Sequence, residues 1–181
     1  MTKSRFSRLV SKLTEMNKNN QLSSDNLRPV VEYQVTDHYS DKLKRIADEY
    51  RQMGMTAEAN HIYGKMGAMK RGSNVLLKEL GTENVKLAKT IERNMVGKGR
   101  SGYVPTGTLK DSIDMHVTED GRVQVYPDAK ANKGKGPEYG GFVEYGTRRH
   151  PVPEPFMYQS SKQMQSVIDK KLAEFLSGWS L

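Results

Sequence analysis

Gly97, Gly99 and Gly102 stand in the spacing G-x-G-x-x-G. In a dinucleotide site such glycines follow a strand and open a helix, so that backbone N–H groups and the helix dipole meet a pyrophosphate. Here the order is reversed: helical periodicity runs up to Gly97, and Tyr103-Val104-Pro105 follows Gly102. The glycines therefore read as a flexible basic loop, and no cofactor is expected. Metal ligation needs His, Asp or Glu gathered at useful spacing. His38, His61, His116 and His150 fall on four separate elements, and the nearest approach to a cluster, His38 with Asp37 and Asp41, is explained equally well by a strand-to-helix turn. Ser112, Asp114 and His116 would share one face of a strand, yet side chains in a row along a strand do not form the Ser-to-His hydrogen bond of an activated nucleophile. Glu144 is the remaining candidate. Flanked by Phe142, Val143 and Tyr145, it has an apolar setting that would suit a general base. An intersubunit ion pair with nearby Arg148 and Arg149, or a role as backbone acceptor, is the expected use, because a buried carboxylate needs a partner. No catalytic set and no metal site are expected.

Bulk composition points the same way. A chain of 181 residues suits one compact domain plus an appendage. The absence of cysteine removes disulfide frameworks, thiolate zinc sites and thiol nucleophiles together, and is compatible with folding in a reducing cytosol. No apolar run reaches the roughly 18–20 residues of a membrane span. Met1 to Met16 is basic and amphipathic, like a transit peptide, but it carries Glu15 and lacks a cleavage-like site, so a targeting role is not expected. The net charge of +8 is unevenly placed. Residues 1–28 carry six Lys/Arg against Glu15 and Asp25, and 127–150 carry five against Asp128, Glu138 and Glu144. The stretch 111–126 is acidic, with Asp111, Asp114, Glu119 and Asp120 against Arg122. Basic charge thus lies in an arm and loops rather than along one helix face, where a nucleic-acid binder more often gathers it.

The elements that must position these residues follow from periodicity. Phe6, Leu9, Val10, Leu13 and Met16 form one stripe of a helix at 3–16, followed by a polar linker through Arg28. So short a helix is marginal alone and must dock on its own domain or on a neighbour. Val31, Tyr33 and Val35 alternate as a half-buried strand after Pro29. Ser40 can cap a helix stopped by Gly54, a second helix runs from Thr56 to Gly72, and a third and longest begins at Ser73, with a kink or break possible at Gly81. Most of the ten methionines fall on these stripes and read as core filling. Thr108 and Asp111 have the spacing of a short capping box. Ile113, Met115 and Val117 alternate into Asp120-Gly121, and Val123 and Val125 alternate out, a hairpin with a type I′-compatible turn. Residues 127–138 read as a Gly/Lys/Ala/Asn loop with nothing to bury, mobile in the free subunit like 97–105. The segment 139–147 fits a helical turn or a strand. Pro151, Pro153 and Pro155 stiffen the approach to a terminal amphipathic helix from Met157 to Trp179. The expected fold is α+β: a small antiparallel sheet on one long central helix and a C-terminal helix, with an N-terminal helical arm. Its parts are the arm and linker, 1–28, and a core domain, 29–181.

Three short motifs, in order, resemble the siphophage tail-component family, the tail-completion or head–tail joining proteins of the neck. They are Thr106-Gly107-Thr108-Leu109-Lys110-Asp111-Ser112-Ile113, then Phe142-Val143-Glu144-Tyr145-Gly146-Thr147, then Pro153-Glu154-Pro155-Phe156. The resemblance covers about 73–181 and the strand at 30–36, not the arm; Arg148-Arg149-His150 and the loop at 127–138 are individual to this chain. It implies a non-enzymatic virion protein, assembled in the host cytoplasm, that occupies a ring between head and tail. Its implied partners are copies of itself, the adaptor or stopper proteins of the head connector, and the tail terminator or tail tube, with incidental DNA contact and no membrane. The interface candidates are Phe6, Leu9, Val10 and Leu13 on the arm, and Arg148, Arg149 and His150. The alternative is a sequence-independent nucleic-acid binder that uses the basic arm and loops.

Overall fold

Alternating apolar residues build the sheet, and the sheet fixes everything else. The structure, a computed structural model, describes residues 28–36, 40–99, 101–131 and 134–178. Its three strands are β1 (Val31–Tyr33), β2 (Ile113–Val117) and β3 (Val123–Pro127), all antiparallel in the order β1-β3-β2. Val31 lies opposite Val125 and Tyr33 opposite Val123, while Ile113 pairs with Pro127 and Met115 with Val125. That register gathers Val31, Tyr33, Ile113, Val123 and Val125 on one buried face. The other face is polar: Glu32 accepts from Arg122 at 3.0 Å and from Gln124 at 2.7 Å, and the His116 and Tyr126 rings stack 4.2 Å apart. β1 is shorter than the alternation predicts. It ends at Tyr33, and Val35 lies half exposed beyond it.

Five helices follow in chain order: α1 (Ser40–Gln52), α2 (Thr56–Met95), α3 (Thr108–Asp111), α4 (Gly140–Tyr145) and α5 (Phe156–Ser177). The sequence predicts a break near Gly72; the structure instead runs α2 unbroken for 40 residues, about 60 Å. Ser73 does not cap a new helix, because its hydroxyl donates to the Lys70 carbonyl within the same one. Gly81 does not break it either. A Cβ there would sit 2.5 Å from the Met115 sulfur and 2.6 Å from Val123 Cγ1, so the missing side chain is what lets helix and sheet touch.

The two halves of α2 have different neighbours. The second half buries Leu76, Leu77, Leu80 and Ala88 against the sheet and α5, with Asn84 Nδ2 donating to the Tyr33 hydroxyl across the core. α5 adds Phe156, Met157 and Met164. The first half packs against α1, where only Ala47 and Ala59 are buried. Polar clasps join that pair: the Tyr63 hydroxyl donates to Asp48, and the Arg51 guanidinium lies 5.3 Å from the Tyr63 ring. Met53, Met55 and Met69 are exposed on it, so core filling describes Met157 and Met164 but not these three.

The architecture is a three-stranded antiparallel sheet on a long central helix, which packs on the C-terminal helix. The N-terminal arm, with Phe6, Leu9, Val10 and Leu13, lies outside the described residues, as do Asp37, His38, Arg100 and Trp179. Two local expectations are corrected. Thr108 and Asp111 form no capping box: Gly107 occupies the N-cap and Thr108 is already helical, its hydroxyl meeting that of Thr106. The segment 127–138 does reach the core, because Pro127 and Ala129 continue the alternation of Val123 and Val125. Beyond them the chain turns on backbone bonds from Gly134 and Gly136 to the Ala131 carbonyl, and Glu138 is gripped by Arg28.

Candidate functional site

α5 begins at Phe156 with Pro155 as its N-cap, a residue with no side-chain acceptor to offer the first N–H groups. Glu144 supplies what is missing from across the fold. The side chain of this α4 residue is 1% exposed, and its two carboxylate oxygens accept from the Met157 and Tyr158 N–H groups, each at 2.9 Å. The Glu154 N–H donates to the Val143 carbonyl at 2.9 Å, completing the junction between α4 and α5. Burial pushes the Glu144 carboxyl up to about 7, against the downward pull of the two N–H donors. Among the described residues no guanidinium takes part: Arg148 and Arg149 are exposed, Glu144 is enclosed with both oxygens taken, and of its two expected uses the backbone acceptor is the arrangement present. A helix N-terminus compensates a buried carboxylate without a charged partner.

Glu154 performs a second clasp that the sequence reading did not single out. Its oxygens accept from the Gly97 N–H at 3.1 and 2.9 Å, tying the end of α2 to the entry of α5. Gly97 sits at φ +73°, and a Cβ would press on Pro105 and lie 2.9 Å from the Tyr103 carbonyl oxygen. The G-x-G-x-x-G spacing is thus a helix-ending turn, and its first N–H is already held by a carboxylate of the same chain. The signal for Glu154 was present in Pro153-Glu154-Pro155: a charged residue pinned between two prolines, in a place of fixed geometry. Glu92 and Asn84 were also missed. Both fall on the apolar stripe of α2, are buried, and keep Glu92 Oε1 and Asn84 Oδ1 without hydrogen-bond partners. Burial raises the Glu92 carboxyl above its ordinary value, and the nearby Lys110 charge opposes the rise.

Above these clasps lies a cleft of about 410 Å³, lined mainly by Tyr103, Val104, Tyr139, Phe142, Thr147 and Val152. The Tyr103 and Tyr139 ring centroids are 6.2 Å apart. One wall is the turn after α4. There the Thr147 N–H donates to the His150 carbonyl at 2.8 Å, and the His150 N–H donates to the Thr147 hydroxyl at 3.0 Å. His150 Nδ1 lies 2.8 Å from the Ser101 carbonyl, fastening the turn to the segment after α2. Arg148 and Arg149 ride on this closed turn into solvent, and neither forms an ion pair among the described residues.

The motif residues therefore divide by burial. Leu109, Ile113, Val143, Glu144 and Phe156 are buried; Thr106, Phe142 and Thr147 line the cleft; Gly146, at φ +76°, starts the turn. Ser112 donates to the Leu109 carbonyl at 2.7 Å, and Tyr145 and Pro155 flank the α4–α5 junction. Ser112, Asp114 and His116 form no relay: Asp114 accepts from the Met115 N–H, and His116 stacks on Tyr126. Among the described residues no group of three His, Asp or Glu could hold a metal ion, and no helix is long and apolar enough to cross a membrane. The chain matches no family model, no curated protein and no solved structure.

Proposed function

We propose that the protein is a structural component of a tailed-phage virion that occupies a ring at the head–tail junction, between the head connector and the tail terminator or tube. One observation carries the reading. The second and third of the motifs that resemble the tail-component family meet in a single brace, in which Glu144 caps α5 and Glu154 holds the end of α2, and their carboxylates are consumed by backbone N–H groups. Groups spent on holding three segments together suit a part that bears load in an assembly. Many shallow contacts closed into a ring then supply the strength that each lacks alone. Among the described residues, the basic turn and the cleft are surfaces left for partners.

Antibody labelling of purified virions tests the location. Label at the junction of head and tail is expected; label on the capsid faces or tail tip, or none at all, would contradict it. A second reading, sequence-independent binding to nucleic acid, draws on the exposed Arg148 and Arg149. Binding through phosphates weakens steeply with salt, and an apparent affinity for duplex DNA that collapses between 50 and 200 mM salt, about 10³–10⁵-fold for 6–10 phosphate contacts, would favour it.

A further inference from the structure

The β2–β3 hairpin and the aromatic cleft lie at opposite ends of the same pair of strands. β2 starts beside α3, next to the wall of the cleft, and runs to a tip at residues 118–122; β3 returns to Pro127 and on to Tyr139. Five paired residues separate the two ends, about 17 Å. The ends differ in charge. At the tip, Glu119 and Asp120 are exposed, and Val117 beside them is 49% exposed. Asp120 is engaged by Thr118 and Arg122, and Arg122 is also held by Glu32; Glu119 forms no ion pair among the described residues. At the other end the cleft is apolar, with Val104 78% and Val152 42% exposed, and the exposed Arg148 and Arg149 stand between Thr147 and His150 of its wall. The carboxylates near that wall are occupied: Glu154 by Gly97, Glu144 by α5 and Glu138 by Arg28.

From this pairing of opposite ends we infer that successive copies of the chain join head to tail, the acidic hairpin tip of one seated in the cleft of the next, against its basic turn. The inference rests on the ring reading and says which surfaces close the ring. Val117 supplies the apolar contact, and Glu119 meets Arg148 and Arg149, whose planar guanidinium groups suit a carboxylate. A tip and a cleft at different ends of one molecule form a heterologous contact, the kind that generates rings when the rotation closes.

Charge exchange in the full-length protein tests it. One variant is Glu119→Arg; the other is Arg148→Glu combined with Arg149→Glu. All three positions are exposed, and unchanged melting temperatures confirm that each variant folds. Self-association is read by sedimentation up to millimolar protein. Each variant alone sets like charges against each other and is expected to associate at least about tenfold more weakly than wild type. An equimolar mixture is expected to recover wild-type association, because alternating copies put opposite charges together at both kinds of contact. Association of the wild type that neither reversal weakens would overturn the contact and leave the ring reading standing. The same holds if the mixture recovers nothing, or if the Arg148 and Arg149 reversals cost only DNA affinity. A wild type that never self-associates would overturn the contact and count against the ring itself.

Discussion

At the scale of single residues, Glu144 shows how a carboxylate in apolar surroundings can be read as a backbone acceptor without its donors being legible. Phe142, Val143 and Tyr145 announce burial in the sequence. Nothing local announces that the waiting donors are the N–H groups of Met157 and Tyr158, which lie on the far side of a proline-rich connection. Removing the carboxylate as Glu144→Ala leaves two N–H groups short of an acceptor and is expected to cost about 2–3 kcal/mol of stability, measured by urea unfolding. Glu144→Gln keeps the shape and one acceptor and should cost less. The same pair reports on pH. With its folded value raised to about 7, Glu144 holds its proton in the native state after the unfolded chain has lost it. Its contribution is therefore fully present below about pH 4.5 and lost as pH rises through about 7. Wild-type stability should carry a downward step over that interval that Glu144→Gln lacks. Identical pH profiles for the two proteins would show that the carboxyl titrates elsewhere.

At the scale of elements, legibility followed the strength of the period. The β2–β3 hairpin could be read almost residue by residue, because alternation on both sides of Asp120-Gly121 fixes strand, turn and register together. The helices at 40–95 were legible as helices but not in number. Glycine and serine at 72–73 look like punctuation, and only the neighbouring sheet and α1 decide that the helix continues. Gly81 is the sharper case. Its sequence signal, a glycine inside a helical stripe, admits either a break or a close approach. The sheet selects the second, since Met115 and Val123 fill the space a side chain would need. Gly81→Ala should gain helix propensity of up to about 1 kcal/mol yet lose more, about 1–3 kcal/mol, to overpacking, so the net effect is destabilising. A raised melting temperature for Gly81→Ala would show that Met115 and Val123 yield easily. Ala129 makes the complementary point: so small a side chain carries little hydrophobic signal, yet it continues the inward row of β3.

At the scale of the whole molecule, the described chain has two distinct ends. One end is the α1–α2 pair, held by Tyr63, Asp48 and Arg51 around two buried alanines. The other is the braced junction of α4, α5 and the end of α2, with the cleft above it. The sheet lies between them, with its acidic tip directed away from the cleft. Composition could foretell the division of charge between hairpin and loops, but not that the acidic residues gather at the tip of the hairpin while the basic turn follows α4. Distinct ends suit a part that repeats in an assembly, which is how the fold bears on the proposed neck function. Electron micrographs of particles assembled without this protein test that function most directly. DNA-filled heads and finished tails lying separate on the grid are expected; joined virions in normal number would contradict the neck function.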